Sequence, residues 1–214
     1  SYEEPSIATQ NDYDDQAAEK FLNDNYFDSK GNIKPFSTTD TSDDQYPKLS
    51  SYNPVKLPSG VIYIVRPNAQ PEPGTTIGAT DSIRIMSNTT ASVATLENDI
   101  VMFRSSFMLN NDITGTGTPQ VDPKYYYVTE KFMADNKNTD RSFYQMEGFR
   151  EALQHFKAFD KQDEEDYNLQ GVIIVPSRAA FARDNHYAHS IYSFRNRSFI
   201  FNFQVYKTST RLIP

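Results

Sequence analysis

Ser198-Phe199-Ile200-Phe201-Asn202-Phe203-Gln204-Val205-Tyr206 alternates large apolar side chains at Phe199, Phe201, Phe203 and Val205 with polar ones at Ser198, Asn202 and Gln204. A period of two places the two sets on opposite faces of a strand, so the stretch predicts a strand with one buried and one wetter face. Four further runs, Val61–Val65, Ser82–Ser87, Ile100–Phe103 and Val172–Val175, are β-branched or aromatic and bounded by Gly, Pro, Asn or Asp, which predicts four more strands. One segment breaks the period: Met146, Phe149, Leu153 and Phe156 recur at three and four residues, predicting an amphipathic helix over Gln145–Phe159 that lays one stripe on a sheet. Strands, a helix and strands again predict an α+β fold with a mostly antiparallel sheet.

Toward the N-terminus the chemistry changes. Residues 1–50 hold 11 acidic side chains against 4 lysines, so the whole formal net charge of −7 lies there and residues 51–214 are balanced. Within this acidic arm Asn11 or Asp12 can cap a short helix whose face carries Ala18, Phe21, Leu22 and Tyr26, with Asp28–Asn32 as its exit turn. Ser37–Pro58 is rich in Ser, Thr, Asp and Pro without periodicity, the composition of a linker. The expected organisation is an arm over residues 1–50 and a main domain over 51–214. Residues 1–10 and 37–50 are expected to be mobile or lightly packed, since few apolar side chains there offset the entropy of ordering.

Composition removes several classes of chemistry. With no Cys among 214 residues, there is no disulfide, thiolate metal site or Cys nucleophile. The longest apolar run, Val61–Val65, is far below the roughly 20 residues of a membrane-spanning helix, so no span is expected. A balanced body with an acidic arm lacks the basic face of a nucleic-acid binder. No G-x-S-x-G, G-x-G-x-x-G, phosphate-loop Lys or H-E-x-x-H motif occurs. His186 and His189 lie three apart without an evident third ligand and read as surface or packing histidines, His155 reads as exposed, and no metal or cofactor is called for. The carboxylates of Asp43-Asp44 and Asp163–Asp166 read as solvated loops.

The order of the pieces resembles a known family. Ser59-Gly60-Val61-Ile62-Tyr63, a strand ending near Met86, Phe103-Arg104-Ser105-Ser106, Glu147-Gly148-Phe149-Arg150-Glu151-Ala152-Leu153, Val175-Pro176-Ser177-Arg178-Ala179-Ala180-Phe181-Ala182 and Asn196-Arg197-Ser198-Phe199-Ile200-Phe201 follow one another as in FKBP-type peptidyl-prolyl cis-trans isomerases. The resemblance implies an antiparallel sheet of about five strands wrapped around one helix. It also implies a polypeptide client, proline-containing in the isomerases. The arm, with Asn25-Tyr26-Phe27, resembles the leader of Bacteroidetes envelope lipoproteins of this family, which implies a lipidated Cys before Ser1 and a place in the bacterial cell envelope.

Carried over residue by residue, the resemblance gives a pocket with changes. Phe103 matches the Phe of the F-D-S-S motif, Phe149 stands where the family usually has a Trp floor, and Phe201 matches the aromatic of the last strand. Met146 lines the same pocket, and Met86 or Ser87, depending on register, takes the place of a strand-end Tyr. Phe181 replaces the Tyr whose hydroxyl meets the ligand carbonyl, and Arg104 replaces an Asp, with Glu147 or Glu151 as expected ion-pair partners. Ile191 and Tyr192 fall on the loop over the pocket. Phe107–Arg141 is longer than the family needs and reads as an insertion, a hairpin or flap whose Tyr125-Tyr126-Tyr127 could reach the pocket. Three readings stay open: an isomerase of weak activity, a non-catalytic chaperone or adaptor of the cell envelope, and a chain whose aromatics are ordinary core.

Overall fold

Ser6 opens the first helix, its hydroxyl accepting from the Thr9 amide at 3.1 Å. In this computed structural model, which describes residues 3–214, the helix, α1, runs Ile7–Asp24 and starts a turn and a half before the expected caps Asn11 and Asp12. It ends at Asn25, whose backbone is extended, so Tyr26 lies in a strand and not on the helix face. That strand, β1 (Asn25–Phe27), pairs with β2 (Ile33–Pro35) around Gly31, whose φ of +85° a side chain would strain. Ser1 and Tyr2 lie outside the described residues, as do the expected lipid anchor ahead of Ser1 and the start of the lightly packed segment 1–10.

The remaining elements are β3 (Val55–Lys56), β4 (Ile62–Val65), β5 (Thr75–Thr76), β6 (Ser82–Glu97), β7 (Ile100–Asn111), β8 (Gln120–Val121), α2 (Glu130–Asp135), α3 (Glu147–Leu153), β9 (Lys157–Ala158), β10 (Gly171–Val175) and β11 (Arg197–Ser209). The main sheet is antiparallel with order β3-β4-β10-β11-β6-β7, and β8 adds to β6 beside the end of β7. Five of its strands are substantial; β3 and β8 are two-residue additions. The chain is thus α+β, with an antiparallel sheet, a helix on one face and an N-terminal helix on the other.

Each face owes its cover to the alternation in its strands. On one side Phe199, Phe201, Phe203 and Val205 of β11 join Ile83 and Ile85 of β6 and Ile173 and Val175 of β10 beneath α3. On the other, Ile64, Val172, Ile174 and Ile200 meet Ala18 and Leu22 of α1, together with Phe27 and Leu49. The acidic arm therefore forms the second layer of the sheet rather than hanging from it. Asp14 of α1 accepts from the Ser177 amide at 3.0 Å, and Gln10 donates to the Ala94 carbonyl at 3.0 Å. The expected light packing fails at Gln10, Asp43 and Leu49, which are all buried, and Tyr46 stacks on Tyr26 at 4.6 Å. Apolar anchors this sparse were enough because they are spaced to meet one open sheet face.

α3 is half the predicted length. After Leu153 the chain turns with 3-10-type bonds from His155 to Ala152 and Phe156 to Leu153. That turn drops Phe156 onto Phe203 and Tyr63 at ring distances of 4.9 and 5.9 Å and lets Lys157–Ala158 pair with β5. His155 is exposed and stacks on Tyr63.

Candidate functional site

Gly148 brings α3 close to the end of β10: a Cβ there would meet the Ala179 carbonyl at 2.7 Å and the Val175 side chain at 2.8 Å. This close approach seats the next residue, Phe149, against the sheet, its ring 4.2 Å from that of Phe201 and both with no exposed surface. Met146 and Phe181 belong to the same buried cluster, with Phe181 at its far end between His186, His189 and Phe194. Four expected site residues, Met146, Phe149, Phe181 and Phe201, are therefore brought together.

Over the Phe149–Phe201 pair lies Tyr125. Its ring sits edge-on to Phe149 at 5.5 Å and tilted against Phe201 at 5.4 Å. The segment that carries it is pinned on both sides. Pro123 accepts from the amides of Tyr126 and Tyr127, the Met146 amide donates to the Tyr125 carbonyl at 2.6 Å, and Arg150 donates to the Tyr126 carbonyl at 2.6 Å. Arg150 also lies over the Tyr126 ring, while Arg211 stacks on Tyr127 at 3.6 Å and pairs with Asp122 at 2.9 Å. All three tyrosines are buried, so the insertion is packed structure and not a free hairpin or flap.

Tyr125 is 5% exposed, and its hydroxyl is buried beside the Ser87 hydroxyl without a hydrogen bond of ordinary length. Burial, with the Asp112 charge nearby, pushes its pKa well above the usual phenol range. Around it is a polar group: Asn110 Nδ2 donates to Ser87 Oγ at 3.1 Å and to Asp112 Oδ2 at 2.9 Å, and the Ser87 amide donates to Asp112 Oδ2 at 3.2 Å. Burial raises the pKa of Asp112. Of this group Asn110, with Tyr125, lines an open cleft of about 310 Å³ bounded also by Leu109, Gln120, Tyr187 and His189. Gln120 Oε1 is a second buried oxygen without a partner.

His189 closes the far side. A carbonyl can only accept, so its Nε2 carries the proton it gives to the Tyr144 carbonyl at 2.6 Å. Burial lowers its pKa to about 4. With His186 it packs against Phe181 and Phe194. A wider groove of about 770 Å³ runs along the outer side of α3, but its charged groups already serve one another: Ser59 donates to Glu151 at 2.6 Å, Arg150 pairs with Glu147, and Arg178 pairs with Asp15 at 2.8 Å.

The other expected site residues lie elsewhere, Phe103 and Arg104 for one physical reason. β7 has a bulge: Ala91 faces Phe107 and Val93 faces Arg104, so three residues of β7 span two of β6, with Ser105 at φ +52°. One extra residue flips every side chain beyond it to the opposite face. Phe103 is turned away from Phe149 and meets Phe21 of α1 at 6.4 Å. Arg104 stays on the α3 side of the sheet but beyond the core, where it pairs with Glu97 at 2.6 Å and donates to the carbonyl of Ile100. The expected partners Glu147 and Glu151 are not its partners. Register also decides between Met86 and Ser87. Ser87 is opposite Phe203 and shares the Phe149 face, whereas Met86 is opposite Gln204 and is buried on the other side. Ile191 is 92% exposed and Tyr192 53% exposed, on the surface loop that leads to β11. The tyrosine run meets the aromatic cluster as expected, through Tyr125, whereas Gln120 and Asn110 carry no signal in the sequence.

Among the described residues no helix is long and apolar enough to cross a membrane. No family model matches the chain, and no curated protein matches it. Among solved structures it is similar to a peptidyl-prolyl cis-trans isomerase from Pseudomonas syringae pv. tomato, over 98% of this chain and 100% of that one, at 10% identity and a TM-score of 0.47. It is also similar to FkpA from Escherichia coli, over 73% of this chain and 52% of that one, at 15% identity and a TM-score of 0.40.

Proposed function

We propose that this chain is an FKBP-like module that binds extended polypeptide and has weak or no prolyl isomerase activity, because its aromatic floor is occupied by its own Tyr125. An X-Pro bond rotates over a barrier of about 18–20 kcal/mol, held by amide resonance. A dry aromatic pocket lowers that barrier by removing water from the carbonyl and gripping the twisted amide, without nucleophile, metal or cofactor. Phe149, Phe201, Met146 and Phe181 have the composition of such a wall. With Tyr125 seated on Phe149 and Phe201, a prolyl ring has no surface of theirs to lie on. This contact is the observation that carries the reading.

What stays open beside Tyr125 suits a peptide group. The side-chain amides of Asn110 and Gln120, which line the cleft with Tyr125, can exchange hydrogen bonds with the peptide groups of a client. The client is a polypeptide, proline-containing or not, and the role is that of a chaperone or adaptor. A lipid anchor ahead of Ser1 and a place in the bacterial cell envelope complete the proposal. The test is an amide NMR titration of the full chain with an unlabelled ten-residue extended peptide containing one Pro. Shifts should concentrate at Leu109, Asn110, Gln120, Tyr125 and His189. Saturable shifts confined to other surfaces, or none at all, would contradict the reading.

A further inference from the structure

The sheet face that α3 covers is left bare at the far end of the β6–β7 hairpin, and arginines gather there. In the register, Arg197 of β11, Val93 of β6 and Arg104 of β7 stand side by side in one row on that face. Arg195 and Glu4 complete an open cleft of about 420 Å³. Three guanidinium groups line it against two carboxylates. Glu4 is already shared, at 2.7 Å with Arg195 and 2.8 Å with Arg183, and the side chain of Glu97, which holds Arg104, is 62% exposed. Arg197 is half-buried and donates to the Ser105 carbonyl, and among the described residues no carboxylate pairs with it. In a chain of net charge −7 this is a local excess of positive charge.

The cleft has an apolar rim on one side only. Arg197 lies 4.8 Å over the Phe107 ring, and Phe107 packs at 4.8 Å on Tyr192. Tyr192 and its neighbour Ile191 are exposed there. The β-bulge makes this arrangement, since the same flip that turns Phe103 toward α1 puts Arg104 and Phe107 on one face. A guanidinium held rigidly by a backbone carbonyl and a ring still has donors to spare, and its geometry suits a carboxylate.

We propose that the cleft between Arg104 and Arg197 receives a carboxylate side chain of an acidic polypeptide, while Phe107 and Tyr192 receive the apolar residue beside it. The inference rests on the polypeptide-binding reading and names the client chemistry: an extended segment with acidic residues next to an aromatic one. Arg197 and Arg104 hold the carboxylate, and the exposed ring of Tyr192 supplies contact area at little conformational cost.

The experiment is fluorescence anisotropy of the full chain with two labelled ten-residue peptides that are identical except that two Glu flanking a Phe are Gln in the second. The acidic peptide should bind about tenfold or more tightly at low salt. That preference should shrink as salt rises, be lost in Arg197→Gln and be partly kept in Arg197→Lys. Circular dichroism of the variants separates a lost site from a lost fold. Equal affinity for both peptides overturns this inference and leaves the polypeptide reading standing. Binding of neither overturns both. Displacement of the acidic peptide by an equal concentration of inorganic phosphate would overturn a polypeptide carboxylate as the occupant.

Discussion

Replacing Tyr125 by Phe should stabilise the protein, an unusual direction for a change at a fully packed core position. The Tyr125 ring contacts Phe149 and Phe201 through its edge and face, and Phe keeps those contacts. Its hydroxyl is buried, with the Ser87 hydroxyl close by but no hydrogen bond of ordinary length, so folding strips it of water with little return. An unsatisfied buried polar group costs about 1–3 kcal/mol, and the small void left by removing the oxygen takes back part of that gain. The net expectation is about 1 kcal/mol of added stability, or roughly 2–4 °C in Tm for a chain of this size. Urea unfolding followed by circular dichroism reads it as a higher midpoint at an unchanged slope. A loss of 1 kcal/mol or more would refute the reasoning, because it would mean that the hydroxyl makes a bond worth keeping and that the cleft beside it is satisfied.

Other expectations follow from the same contacts. Burial holds the His189 pKa near 4 instead of about 6.5, so the stability linked to it is complete above pH 6.5 and is lost as pH falls toward 4. Stability measured across that range should fall by up to about 3 kcal/mol more in the wild type than in His189→Gln. Parallel profiles would show that His189 is not buried neutral. Leu22→Ala, in the layer that α1 adds to the sheet, should cost about 2–5 kcal/mol by chemical denaturation, whereas a cost near zero would mean that α1 is detached in solution. Arg104→Asp with Phe181→Tyr should leave proline isomerisation unchanged in a protease-coupled assay, since Arg104 pairs with Glu97 far along the hairpin; a faster rate would put Arg104 back at the site.

Period-two alternation made β11 legible because Phe199, Phe201 and Phe203 are large and their neighbours polar, while β4 and β10 are legible as continuous β-branched and aromatic runs. The second half of β6 was illegible for the opposite reason. Asn88-Thr89-Thr90-Ala91-Ser92 offers small and polar side chains on both faces, yet it is held by pairing with β7 and β11 on either side. Tertiary pairing, not local preference, makes it a strand. α1 was found but shifted, because Ser6 outcompetes Asn11 and Asp12 as a cap once the helix can bury Gln10 and Asp14 against the sheet.

In the candidate site, Phe149, Met146 and Phe201 were recoverable because helix and strand patterns fix their faces, whereas Phe181, in a turn, was named from the family resemblance. Neither Phe103 nor Arg104 was recoverable. A single extra residue at Ser105-Ser106 reverses their sides, and neither serine announces a bulge in the way that a glycine would. The tyrosine run was legible, but not which of its rings meets both Phe149 and Phe201. A run of three tyrosines carries no phase, and that choice is made by Pro123, Met146 and Arg150, which hold the segment's backbone.

In the proposed function Tyr125 closes an aromatic site that would otherwise accept proline. NMR exchange spectroscopy on a Pro tetrapeptide, with the full chain and with Tyr125→Ala, is the decisive experiment. The wild type should give little or no acceleration. Tyr125→Ala, checked for folding by circular dichroism, should show peptide shifts at Phe149 and Phe201 and a faster exchange rate, each decade corresponding to about 1.4 kcal/mol of barrier. Robust exchange by the wild type that is unchanged in Tyr125→Ala would contradict it.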